Sequence, residues 1–428
     1  MISNLIFSGP NCRISHPQRP RAGSVQRRRS HRADLPSGGF TPGAGFHWLF
    51  PVDHNPSPQL VLICGGDRRT KLATLRGNAA SDRPARIAEQ DNWLSSQLIT
   101  LNGESDDLNV PVAGKLYLTI RGGKSPTHLL LAWKGRMYFR SKVGEATFFS
   151  HVAAQLVGQP LRKSRLTAPV LQVKLRGRKK GALRVSEIYA FTTRKKQSVQ
   201  AEDVSYSAAK LIDTRLFIEC HRLRYNARKA HLLIAGRGKL SLENYRRSAH
   251  PAATASAPTN RGQSAFAWSK SLDYRGSTGR LVLAGNVRLV YRPMRPFVLS
   301  RSIAGSYHGP NKGLILLDAA RLIATLRRTD KTASGGVALG MGGPAKLKSV
   351  RADRAALELS GARLTADVLS FEAHKQIATA YSAAGRDAHI TTPNGKLNAA
   401  AKEIIWRLGQ SSQTAITLIQ PRAGGSMP

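Results

Sequence analysis

One pattern occurs twice in this chain, and the doubling constrains its fold more than any other feature. Around Trp133 the sequence runs Ala-Trp-Lys-Gly-Arg-Met-Tyr-Phe-Arg-Ser-Lys-Val-Gly-Glu-Ala-Thr-Phe-Phe-Ser-His-Val. Around Trp268 it runs Ala-Trp-Ser-Lys-Ser-Leu-Asp-Tyr-Arg-Gly-Ser-Thr-Gly-Arg-Leu-Val-Leu-Ala-Gly-Asn-Val. A constant offset of 135 residues matches Trp133 with Trp268, Phe139 with Tyr274, Gly144 with Gly279, Phe148 with Leu283 and Val152 with Val287, without a gap. Each copy reads as an aromatic-bearing strand, a glycine-marked turn and a second alternating strand, so the chain builds by stacking hairpins. That organisation argues against an enzyme arranged around one pocket.

Two later blocks repeat in the same order. Leu166 to Arg176 matches Leu317 to Arg327 at an offset of 151, pairing Leu171 with Leu322 and Leu175 with Leu326. Ile218, Cys220, Leu223 and Tyr225 match Leu364, Ala366, Leu369 and Phe371 at an offset of 146. The drift in offset is what insertions in connecting loops produce. The expectation is an all-β chain of two tandem domains, residues 101–246 and 265–425. A linker, 247–264, rich in Ala, Ser, Pro and Thr, joins them. Residues 1–95 are basic and rich in Pro, Ser and Gly, lack a sustained period, and read as largely disordered. The Gly-rich run from Lys331 to Pro344 reads as a long loop inside the second copy. Helix competes at two places by Ala and Leu content. Asp318 to Arg328 is assigned to a strand, because its match in the first copy contains Pro169 and alternates apolar with polar; Arg351 to Ser360 stays open.

Charge is the compositional anomaly. Among 428 residues, Lys and Arg number 66 against 25 Asp and Glu, a net charge of +41. Such an excess seeks polyanions: nucleic acid, anionic lipid or a phosphorylated glycolipid. The basic residues recur singly between apolar ones, as in Leu223-Arg224-Tyr225, which on a strand sends them to the solvent face. No apolar run approaches the ~18 residues of a spanning helix. Met1 to Phe7 has no leading positive charge and Pro10 follows, so no secretory leader is expected there. Cys12, Cys64 and Cys220 form no close pair and no metal-ligand spacing.

Catalytic signatures are missing. There is no His-Glu-x-x-His, Cys-x-x-Cys, Gly-x-Ser-x-Gly or phosphate loop; Gly65-Gly-Asp-Arg-Arg-Thr-Lys and Gly309-Pro-Asn-Lys-Gly lack the loop spacing and read as surface turns. Asp367 and Glu372 fall on opposite strand faces, and the histidines form no spaced set. No enzyme activity, cofactor or metal is expected. The repeated apolar face, Met137, Phe139 and Phe148 with their counterparts, suits a packed sandwich core or a groove kept open for acyl chains, and residue types alone do not separate the two.

Trp268 to Arg292, with Leu272-Asp-Tyr-Arg and then Gly279-Arg-Leu-Val-Leu-Ala-Gly-Asn-Val-Arg-Leu, resembles the repeat of the OstA-like, LptA/LptC superfamily of lipopolysaccharide transport proteins. Leu364-Thr-Ala-Asp-Val-Leu-Ser-Phe and the stretch from His389 to Trp406 look like further rungs of the same repeat. The resemblance covers about residues 110–420. It implies twisted β-jellyrolls, V-shaped in section, that hold acyl chains inside and pair edge to edge with neighbouring jellyrolls or with themselves in the periplasm. Trp133, Met137, Phe139, Phe148, Trp268, Leu272, Tyr274 and Leu283 would then line two lipid-holding troughs. Lys134, Arg136, Arg224, Arg288 and Arg292 would hold the phosphates of lipopolysaccharide or another anionic glycolipid at the mouths. The chain departs from the family in being longer than a single jellyroll and far more basic. Competing expectations are a basic nucleic-acid-binding protein and a structural β-scaffold at an anionic membrane surface.

Overall fold

The computed structural model describes residues 63–67, 72–78, 84–89, 92–120, 127–158, 161–177, 183–206, 212–244, 262–292, 315–328, 345–359, 361–372, 374–375, 377–383, 386–392, 397–407 and 415–421. Apart from one 3-10 turn at Ser141–Val143, every regular element among them is a β-strand. The early strands are short: β1 (Ile63–Asp67), β2 (Leu72–Arg76), β3 (Ala85–Glu89), β4 (Asn92–Ser96), β5 (Leu98–Asn102), β6 (Asp107–Val110), β7 (Gly114–Ile120), β8 (Thr127–Trp133) and β9 (Met137–Arg140). Longer ones follow: β10 (Glu145–Val157), β11 (Arg162–Gly177), β12 (Leu183–Phe191), β13 (Val199–Tyr206), β14 (Ile212–Asn226) and β15 (His231–Asn244). The second half holds β16 (Gly262–Trp268), β17 (Ser271–Arg275), β18 (Arg280–Arg292), β19 (Ile315–Arg328), β20 (Ala345–Leu359), β21 (Ala362–Glu372), β22 (Ile377–Tyr381), β23 (Ala388–Thr391), β24 (Asn398–Arg407) and β25 (Ala415–Pro421).

All of these strands belong to one antiparallel sheet, which advances rung by rung. A rung is either one long strand or two short strands end to end. β10 pairs with β9 through residues 145–148 and with β8 through residues 153–157. On its other side it pairs with β11 along both halves, the register shifting between Phe149 and Val152. β11 in turn carries β12 on one half and β13 on the other. The second copy repeats this: β18 pairs with β17 and β16, then with β19, shifting between Ala284 and Val287. The shifts coincide with left-handed backbone at Ser150 and His151 in β10 and at Gly285 and Asn286 in β18. Bulges increase local bend, so a crease runs across the rungs and divides the sheet into two wings.

Alternation places one set of residues inside each wing. In the wing built from β9, β12, β17 and β22, the register sets Met137, Phe148, Leu171, Ala190, Leu223, Ile234, Leu272, Leu283, Leu322, Ala352, Leu369, Ala380, Ile404 and Leu418 opposite one another in turn. At about 4.8 Å per strand, this apolar ladder is about 60 Å long. The other wing carries a second, from Leu131 through Leu166, Ile218, Leu240, Leu317 and Leu364 to Ile390. Both ladders fall in a single hydrophobic cluster, and full burial of a leucine, isoleucine, phenylalanine or methionine side chain in it is worth about 1.5–3 kcal/mol.

The duplication is visible atom by atom. Gly144 (φ +62°) and Gly279 (φ +64°) both sit in the left-handed region just before β10 and β18. The Leu175 N–H donates to the Gly144 carbonyl at 2.7 Å, and the Leu326 N–H to the Gly279 carbonyl at 2.8 Å. A Cβ on either glycine would run into the carbonyl oxygen of that same leucine. Matched leucines therefore clasp matched turns.

Some expectations change against these strands. Asp318 to Arg328 is strand, as the duplication required, and Arg351 to Leu359 continues β20. Helix propensity loses there because each strand is flanked on both sides by ladder partners. Ordered strands also begin within the segment expected to lack order. β2 docks on β5 and β4 on β7, with Trp93 stacked against Tyr117. Partner strands rather than local periodicity hold them. Gly65, Gly66 and Asp67, expected in a turn, end β1 and pair with Thr74, Ala73 and Leu72. Residues 1–62, Lys331 to Pro344 and Gly309 to Gly313 lie outside the described residues. So do residues 245–261, most of the expected linker; on either side of it β15 pairs directly with β16 and β17, so backbone pairing runs from the first copy into the second.

Candidate functional site

The eight residues expected to line a lipid trough all lie on the inner faces, and all are buried. Phe148, Leu272 and Leu283 have no exposed surface. Trp133 packs on Phe148 with ring centroids 5.1 Å apart. At these positions the protein's own side chains fill the space between the wings.

The two tryptophans are held by a device that the matched hairpins alone do not reveal. Trp133 Nε1 donates to the Val112 carbonyl at 3.0 Å, and Trp268 Nε1 to the Gly236 carbonyl at 3.1 Å. Each indole lies over a glycine directly across the ladder, Gly114 for Trp133 and Gly238 for Trp268, where a Cβ would collide with indole Cζ2. The signal was present: Gly114-Lys-Leu-Tyr-Leu and Gly238-Lys-Leu-Ser-Leu are the same motif, but they stand 124 residues apart, outside the 135-residue frame. By this correspondence β15 stands to Trp268 as β7 stands to Trp133.

The basic candidates whose side chains are described are exposed or point the other way. Lys134 and Arg136 are exposed beside the first tryptophan hairpin, and the Arg136 guanidinium lies over the rings of Tyr138 (5.2 Å) and Phe149 (4.9 Å). Arg224 stands between buried Leu223 and Tyr225 and donates to Glu187 at 3.2 Å. Arg288 makes a two-pronged contact with Asp318 at 2.7 and 3.1 Å, which raises its pKa further above the usual arginine value. Arg292 closes β18 opposite Gln263; its side chain lies outside the described residues. Odd spacing from inward-facing neighbours sends Arg136, Arg224 and Arg288 to the outer faces. The structure therefore does not bring the apolar and basic sets together at one mouth.

Among the described residues, cavities open at the crease of the second copy and on the outer face of the first wing. The first, of ≈ 650 Å³, is lined by Asn286, Arg288, Asp318, Arg354 and small alanines. There β20 runs straight through Arg354 (φ +51°), whereas in the first copy the corresponding β12 and β13 are separated by residues 192–198. The other, of ≈ 330 Å³, lies on the first wing and is lined by Gln172, Lys174, Glu187, Tyr189, Arg222, Arg224 and neighbours. Tyr189 and Arg222 of this lining, and Phe191 beside it, are not among the residues expected at a site. Their signal is the alternation Glu187-x-Tyr189-x-Phe191 on one strand and Arg222-x-Arg224 on the next.

Among the described residues, no three His, Cys, Asp or Glu side chains gather to hold a metal ion. Asp367 accepts from the Ala383 N–H at 2.8 Å, while Glu372 pairs with Lys375 at 2.9 Å, which lowers its pKa. Cys220 is a buried free thiol whose pKa burial pushes up to about 12, the opposite of an activated nucleophile. Among the described residues no helix is long and apolar enough to cross a membrane, which says nothing of crossing by strands. No family profile matches this chain, and no curated protein matches it.

Proposed function

We propose that this protein is a non-catalytic binder and carrier of an anionic glycolipid of the cell envelope, lipopolysaccharide or a related molecule, as its resemblance to the OstA-like jellyrolls implies. The observation that carries the proposal is the pair of apolar ladders running unbroken from rung to rung. A ladder that is apolar at every step would let an acyl chain move along the molecule without meeting a polar side chain on the way. The space is filled, so entry requires the wings to part. Burial at about 0.8 kcal/mol per CH2 would offset the apolar surface that parting exposes. The basic residues expected to hold head-group phosphates, Lys134, Arg136, Arg224, Arg288 and Arg292, would instead draw the anionic molecule to the outer faces by their field, since the structure does not set Arg136, Arg224 and Arg288 at the mouth of the inner ladders. Edge strands would serve for pairing with further jellyrolls or with a second copy, and the periplasm would be the compartment.

The test is photo-crosslinking in the full chain. A photoreactive residue replaces Phe148 or Leu283 on the inner face, or Tyr138 on the outer face, and the protein is exposed to lipopolysaccharide. Adducts at the inner positions, weak or missing at Tyr138, are the expected outcome. Adducts confined to Tyr138, or none while the protein stays folded, would overturn the proposal. The competing reading as a nucleic-acid binder rests on the charge of +41 and predicts duplex affinity falling steeply with log salt.

A further inference from the structure

The ≈ 330 Å³ cavity on the outer face of the first wing has a wall chemistry that packing does not require. Tyr189 and Phe191, on one face of β12, stack on each other with centroids 4.8 Å apart. Directly across the ladder, Arg224 faces Tyr189 and Arg222 faces Phe191. Both arginines are exposed, and the Arg222 guanidinium has no partner among the described residues. Glu187 lies between Lys174 (4.0 Å) and Arg224 (3.2 Å) and also accepts from Asn226 Nδ2 at 3.0 Å. Gln172 adds an amide to the wall, and Glu145, held by Arg140, a second carboxylate.

We infer that this cavity binds a phosphorylated sugar. Two neighbouring planar guanidinium forks and an ammonium match the several acceptor oxygens of a tetrahedral phosphate, a pair of which one fork can engage at once. Carboxylates and an amide match hydroxyl groups, which donate as well as accept. The same carboxylates disfavour a nucleic-acid strand, whose successive phosphates would pass Glu145 and Glu187 at like charge. Tyr189 supplies an aromatic surface for the apolar side of a sugar ring. The volume is at the lower end of ligand cavities, about 300 Å³, room for a ring and its phosphate but not for an acyl chain. The site lies on the opposite face from the apolar ladders, so it stands or falls independently of lipid entry between the wings.

The test titrates glucose 1-phosphate, glucose and inorganic phosphate into the full chain, following saturation-transfer NMR and heat. Saturable binding of glucose 1-phosphate, tighter than either part alone, is expected. Arg222→Ala and Tyr189→Ala should each weaken it about tenfold or more without a change in circular dichroism, and Arg363→Ala, far along the sheet on the other wing, should leave it unchanged. Glucose 1-phosphate binding no tighter than inorganic phosphate, or indifferent to both variants, refutes the site. So does displacement of glucose 1-phosphate by oligothymidylate in a manner that depends on Arg222, since the face would then serve nucleic acid. Vesicles of phosphatidylcholine carrying lipid A separate the two sources: capture that depends on Arg222 assigns the sugar phosphate to a lipid head group. Binding of the soluble ester without capture assigns it to a free metabolite.

Discussion

Gly238→Ala isolates the contact that distinguishes a repeated structural clasp from an incidental glycine. A Cβ at 238 would meet indole carbons of Trp268, a buried ring tied by its Nε1 to the Gly236 carbonyl. Overpacking of this kind costs about 1–3 kcal/mol, and breaking the hydrogen bond adds about 1 kcal/mol. Gly236→Ala is the internal comparison. Nothing lies within 4 Å of a Cβ there, but φ is +84°, so its cost is backbone strain of about 1–2 kcal/mol. Both variants are made in the native protein and in a Trp268→Leu background, and stability is read from urea denaturation by circular dichroism. In the Leu background the Gly238 penalty should shrink by about 1–3 kcal/mol while the Gly236 penalty persists. Equal penalties for Gly238→Ala in the two backgrounds would falsify the clasp. Gly114→Ala should likewise be relieved by Trp133→Leu in the first copy, but over a larger residual penalty, because a Cβ at 114 would also lie 2.8 Å from the Ser95 carbonyl oxygen in either background.

Leu283→Ala removes a side chain with no exposed surface from the inner ladder and should cost about 2–5 kcal/mol, seen as a lowered denaturation midpoint, whereas Arg288→Ala, which breaks a half-exposed pair, should cost under about 1 kcal/mol. Asp203→Ala strands the Arg162 guanidinium, which donates to that nearly buried carboxylate at 2.6 and 2.9 Å, and should cost about 3–5 kcal/mol by thermal or urea unfolding. Cys220 should resist thiol reagents at pH 8 in the folded protein and react once unfolded; because folding raises its pKa from about 9 to about 12, the folded state holds its proton longer, so its contribution to stability is present below pH 9 and declines as pH rises from there towards 12. A Cys220→Ala variant should lose that alkaline slope.

The repeat was legible because strands impose a period of two and because turn glycines cannot be replaced cheaply. Trp133, Gly144 and Phe148 could be laid on Trp268, Gly279 and Leu283 without a gap, and the structure places each pair at equivalent points of equivalent rungs. Leu171 and Leu322, matched across a different offset, occupy the same ladder. What alternation does not carry is the partner across the ladder. Gly114 and Gly238 matter through an indole lying over them, and Tyr189 and Phe191 through arginines on a strand more than thirty residues away. Early strands such as β2 and β4 were illegible for the same reason, since their order comes from β5 and β7.

Local pattern thus settled that residues 101–246 and 265–425 build mainly from strands, that their pattern is duplicated, and which residues turn inward on the strands it could identify, because those properties follow from side-chain alternation and backbone sterics within a few residues. Folding decided the rest. Two wings closing on each other made the interior filled at Phe148 and Leu283 rather than open, a property that depends on what stands across the crease and not on residue type. Alternation had already turned Arg136, Arg224 and Arg288 away from the ladders; closure decided that the two sets do not meet at a shared mouth. The aromatic and arginine cavity exists only where β12 and β14 meet in register.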